Sequence, residues 1–68
     1  MMDPRDVRLT APQVRHRYGN RSDMWLWRLL KNQASGFPLP LIINRRRYWR
    51  LGDLEAWEVA QAAQQQPP

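Results

Sequence analysis

Leu9-Thr10-Ala11-Pro12-Gln13-Val14 … Tyr18-Gly19-Asn20-Arg21-Ser22-Asp23 … Leu26-Trp27-Arg28-Leu29-Leu30-Lys31 reads as two helices around a tight turn. Thr10 and Gln13 have the spacing of a capping box, and Leu9 and Val14 occupy the two positions of a hydrophobic staple. Pro12 falls in the first turn, where its missing N–H costs nothing. Gly19 follows Tyr18 as a helix stop, because glycine accepts the left-handed backbone that closes a helix. Ser22 then caps a second helix expected to run to about Lys31. Asp23 suits the positive end of its dipole, and Arg28 and Lys31 suit the negative end. Leu26, Leu29 and Leu30 stand at i, i+3, i+4 and form one inward stripe. Helix, glycine-containing turn, helix is the skeleton of a helix-turn-helix.

Downstream, Asn32 to Gly36 reads as loop. Alternate prolines make Phe37-Pro38-Leu39-Pro40 extended, since proline forbids both helix interior and central strand. Leu41-Ile42-Ile43 and Tyr48-Trp49-Arg50 are β-prone runs around Asn44-Arg45-Arg46-Arg47, which predicts a two-stranded hairpin with a basic tip. Gly52-Asp53-Leu54-Glu55 opens a third helix expected to reach about Ala63. Residues 1–8 alternate charge and proline and read as a flexible arm. Residues 64–68 read as a disordered tail, leaving 9–63 as the domain.

The 68 residues allow one small domain, which buries only ~60% of the surface its unfolded chain exposes. Eleven Lys+Arg against six Asp+Glu give a net charge of +5, and every cation but Lys31 is arginine. Arginine is favoured for bidentate contacts to phosphate and guanine, so this bias points to a polyanionic partner. Without cysteine and with one histidine, His16, neither a thiolate site nor a histidine metal cluster can be built. No Ser-His-Asp set, paired carboxylates or glycine-rich phosphate loop can be assembled, so neither enzyme activity nor a cofactor is expected. His16, between Arg15 and Arg17, reads as an exposed residue near phosphate. No apolar run approaches the ~20 residues that span a bilayer, and no secretory leader is evident, so a cytoplasmic, nucleoid-associated protein is expected.

The candidate contact residues are Arg21, Ser22, Asp23, Met24, Trp27, Arg28 and Lys31 on or before the second helix, with Arg45, Arg46, Arg47 and Arg50 on the hairpin. Ser22 and its helix N-terminus suit a phosphate. Asp23 can accept from a cytosine amino group, and Met24 or Trp27 can touch a thymine methyl. Arg28 and Lys31 lie where they would meet the backbone. The arginine hairpin would lie along an adjacent backbone or in a narrow minor groove. The plainer alternatives are a solvated basic turn for the arginines and core packing for Trp27. The other tryptophans, Trp25, Trp49 and Trp57, with Tyr48, Phe37 and Val14, are expected to build the core. A base-stacking sheet is the competing use of these rings and is disfavoured, because the chain has room for only two strands. On the third helix Leu54 and Trp57 face the core. Ala56, Val59, Ala60 and Ala63 form a second stripe, suited either to helix formation alone or to contact with another copy.

These residues resemble the small AlpA-like and excisionase-like DNA-binding proteins, which have a MerR-like winged helix-turn-helix fold. The resemblance lies in Leu9-Thr10-Ala11 with Gln13-Val14, Arg17-Tyr18-Gly19, and Ser22-Asp23-Met24 with Leu26-Trp27-Arg28. It continues through Gly36-Phe37-Pro38 and Pro40, Arg45 to Arg50, and Asp53-Leu54-Glu55-Ala56-Trp57-Glu58. The family often has threonine at the position of Trp25, tryptophan at Leu29, and a small or apolar turn at Asn20-Arg21. Trp25 would therefore either repack the core or alter base preference. The resemblance implies a mainly α fold with a small β-hairpin, a winged helix-turn-helix that binds double-stranded DNA. Residues from Ser22 would form the recognition helix and residues 41–50 the wing. Members regulate transcription of mobile elements or bend attachment-site DNA so that an integrase excises the element. One helix and one wing read few base pairs, so several copies on repeated sites are expected, touching through the third helix or assisting an integrase or RNA polymerase. Two alternatives stand beside this: a single-stranded nucleic-acid binder, and a protein-interaction module such as an anti-repressor.

Overall fold

The computed structural model describes residues 7–65 as three helices and a three-stranded antiparallel sheet. The elements run β1 (Arg8–Thr10), α1 (Ala11–Arg17), α2 (Asp23–Lys31), β2 (Leu41–Ile43), β3 (Arg46–Arg50) and α3 (Leu51–Gln65), with a 3₁₀ turn at Gln33–Ser35 between α2 and β2. The strands are ordered β1-β3-β2, so β3 is central. The molecule is mixed α/β, with more sheet than a hairpin alone provides.

Both helix starts form as the sequence requires. The Thr10 amide donates to Gln13 Oε1 at 2.9 Å, and Leu9 and Val14 meet in the core cluster. Ser22 Oγ accepts from the Trp25 amide at 3.1 Å. Between the helices Gly19 and Asn20 both take positive φ, at 91° and 60°. The Arg21 amide returns to the Arg15 carbonyl at 3.0 Å, and that bond fixes where α2 departs.

Val14, Leu26, Phe37, Trp49 and Leu54 form the buried core, with Leu9, Tyr18, Trp25, Leu29, Leu30 and Trp57 packed around it. Tryptophan compensates here for small size, since an aromatic buries ~150–250 Å² and its indole N–H also needs a partner. Trp49 Nε1 donates to the Pro38 carbonyl at 3.0 Å and Trp57 Nε1 to the Ser35 carbonyl at 2.8 Å. The two indoles thus pin the 35–38 segment against the core. Glu58 joins α3 to α1: Arg17 grips both carboxylate oxygens at 2.6 and 2.8 Å, and the Tyr18 hydroxyl donates at 2.7 Å.

Several expectations need correcting. Arg8, expected in the arm, opens β1, because pairing with β3 sets Leu9 opposite the buried Trp49. The remainder of the arm, residues 1–6, lies outside the described residues. The sheet therefore has three strands where two were expected. The hairpin turn is only Asn44-Arg45, so Arg46 and Arg47 belong to β3. Tyr48 pairs with Thr10 and Leu41 on the sheet face away from Trp49, and it is not part of the core. The third helix begins one residue earlier, where the Leu51 amide donates to the Val7 carbonyl at 2.9 Å, and continues to Gln65. Gln64 and Gln65, expected in the tail, are thus helical, while 66–68 lie outside the described residues.

Candidate nucleic-acid interface

An α-helix advances about 100° per residue, so the leucine stripe of α2 leaves Asp23, Trp27, Lys31, Met24 and Arg28 in that angular order on its other side. Trp27 is 50% and Met24 55% exposed, and with Asp23 they line a shallow concavity of about 230 Å³. Lys31 holds its ammonium 5.3 Å from the centre of the Trp27 ring, a cation–π distance. Trp27 is therefore a surface residue. Trp25 is half-buried, with its ring 5.7 Å from that of Tyr18, and lies on the core side. Arg21 covers that ring at 5.7 Å. This places Arg21 at the α1 border of α2.

The hairpin stands at the other border. Alternation along β3 sends Arg47 to the same sheet face as Trp49, the face that carries the core. Arg47 reaches the first turn of α2 and donates to Asp23 Oδ1 at 2.8 Å, while its guanidinium lies 5.8 Å from the Trp49 ring centre. Arg46 and Arg50 take the opposite face, beside Tyr48 and across from Ile43 and Arg8 respectively. Arg45 stands at the turn itself. Both turn residues have positive φ, Asn44 at 51° and Arg45 at 66°, as a tight two-residue hairpin demands.

The sequence-predicted site thus gathers in part. Ser22, Asp23, Met24, Trp27, Lys31 and Arg47 share one surface, with Arg45 at its edge. Arg28 lies on the far flank of α2, and Arg46 and Arg50 face the other side of the sheet. Ser22 and Asp23 also have structural duties: the serine oxygen caps α2, and the carboxylate is occupied by Arg47. Spacing along the chain suggests four arginines acting together. Alternation in β3 is the signal that divides them, once Asn44 is taken as the first residue of a two-residue turn. Between Asp23 and Asp53 the chain has no acidic residue, so the hairpin carries no negative charge of its own.

Among the described residues no helix is long and apolar enough to cross a membrane, and no cluster of metal-ligating side chains occurs. No family model, curated protein or solved structure matches the chain.

Proposed function

We propose that the chain is a sequence-reading, double-stranded DNA-binding protein with a winged helix-turn-helix arrangement, α2 serving as recognition helix and β2–β3 as wing. The observation that carries this reading is the Arg47–Asp23 contact, which sets the arginine hairpin beside the exposed Met24-Trp27-Lys31 face of α2. A helix with an apolar, partly cationic outer face fits a major groove, where thymine methyls and base acceptors are displayed. A hairpin tipped by arginine beside it fits the next phosphate run or a narrow minor groove. Regulation or excision of a mobile element, in the cytoplasm at the nucleoid, is the role that the family resemblance attaches to such a reader.

The chain should prefer duplex to single strand of the same sequence. In the R45A/R46A/R47A variant, binding should weaken across all sequences. The slope of log affinity against log salt should flatten by ~0.9 for each phosphate that the variant leaves unneutralised. Fluorescence anisotropy titrations at several salt concentrations measure both. Equal affinity for single strand would favour base stacking on the outer sheet face. Among the strand residues only Tyr48 offers a ring on that face, because Trp49 is buried. An unchanged salt slope would remove the hairpin from the interface.

A further inference from the structure

β2 is an edge strand with no charged side chain, and Leu41, Ile42 and Ile43 are 52%, 58% and 47% exposed. Leu39, just before it, is 80% exposed. Natural sheets usually blunt such an edge with lysine, an inward charge or a bulge, because unpaired backbone groups recruit another strand. Here the strand itself carries none of these devices. Pro40 blunts only its start.

We propose that this edge is a contact between two copies of the chain, which pair β2 to β2 antiparallel about a twofold axis at Ile42. The two-residue turn closes on the Ile43–Arg46 pair, so ladder bonds alternate and the Ile42 N–H and C=O point away from β3. Twofold pairing lets each Ile42 donate to and accept from its counterpart, and lets the Asn44 N–H reach the Pro40 carbonyl of the other copy. Proline lacks the donor that the reciprocal bond would need. Side chains then meet as Ile42 on Ile42 and Leu41 on Ile43, every pair apolar. An isologous contact needs this self-complementarity.

Charge selects the circumstances of pairing. At about 3.3 Å per residue the two Arg45 turns sit roughly 20 Å apart, beyond the ~8–10 Å screening length, so the tips do not clash directly. Two molecules of net charge +5 still repel overall. The contact is also small: a three-residue strand and one leucine fall far short of the ~20 residues a side found in stable complexes. The pair is therefore a weak one that forms where a polyanion neutralises the molecules and holds them close. This part rests on the DNA-binding reading. It replaces the third-helix stripe with the β2 edge as the place where copies touch.

Duplexes carrying two copies of a site selected by the protein from a random pool, inverted or in direct repeat at matched helical spacing, provide the test. On the inverted pair the second molecule should bind roughly tenfold tighter than on a single site. Ile42→Pro removes the outward donor without adding charge, and Leu41→Thr with Ile43→Thr removes apolar surface while keeping strand-forming residues. Both should abolish that gain, each variant's second-site binding being compared with its own single-site affinity. Retained cooperativity in both variants would overturn the proposal. So would equal cooperativity on direct repeats, or loss of cooperativity in Val59→Thr on α3. Sedimentation equilibrium in high salt, without DNA, should show weak self-association that both variants lack. If no duplex is bound, the functional reading fails and this measurement alone decides whether the edge pairs.

Discussion

Arg45 occupies a backbone conformation that glycine adopts freely and other residues enter at a cost of ~1–2 kcal/mol. Asn44 before it suits the left-handed region, since asparagine is among the residues that tolerate it. Arg45 does not have that advantage. Arg45→Gly should therefore relieve strain and stabilise the fold by up to ~1 kcal/mol, after allowing for the greater entropy glycine gives the unfolded chain. Duplex affinity should fall in the same variant, and a urea melt beside an anisotropy titration would register the opposed changes. Asp23 carries the opposite balance. Its pair with Arg47 is solvent-exposed, the carboxylate side chain at 64%, and such pairs contribute ~0–1 kcal/mol. Asp23→Asn should thus barely move the melting midpoint, whereas binding should change if the pair fixes the hairpin's position against α2. A shift in stability well above ~1 kcal/mol would show the contact to be a structural strut instead.

The joints between elements hold most of what was legible in the chain and most of what was hidden. Both helices of the opening stretch start at the residues their caps specify, because capping and the leucine stripe are local patterns. β1 was hidden for the complementary reason: three residues make no periodicity, and only distant β3 gives them a partner. The Arg17–Glu58–Tyr18 clasp was likewise invisible, since its members lie about forty residues apart and nothing in either segment names the other. It is nonetheless testable. Hydrogen bonds from Arg17 above all, with one from Tyr18, hold the Glu58 carboxyl below its ordinary value despite partial burial. A group depressed in the folded state stabilises above its unfolded value, about 4.3, and loses that contribution as pH falls through the folded value. Stability should therefore drop on acidification below about pH 4.3. Glu58→Gln should flatten that limb and cost ~1 kcal/mol at neutral pH, a bidentate pair being strong but this one partly exposed, as read by melts from pH 3 to 7. Tyr18 behaves inversely: burial first, then its bond to Glu58, raises it, so its share is lost only in strong alkali.

Across the whole molecule, five buried residues among those described carry the interior, and a small domain has little stability in reserve. Trp49 touches both halves, packing against Phe37 at a ring separation of 6.3 Å while its N–H holds Pro38. Trp49→Ala should cost ~3–5 kcal/mol and leave the chain largely unfolded at ~25 °C by circular dichroism. Trp27→Ala removes an indole of similar size from the surface and should leave the fold intact while weakening duplex binding. The division of the site also becomes intelligible at this scale. Which residues are cationic or apolar was plain from composition, but which side of a strand they occupy depends on register, and register was set by a turn shorter than expected. The amide bond from Leu51 to Val7, and β1 against β3, have a bearing on biosynthesis. During synthesis residues 8–10 emerge well before those near position 50 and must wait for them before their strand can be completed. Until then the α1–α2 portion can begin to form, while residues 7–10 stay accessible to proteases and to other nascent chains.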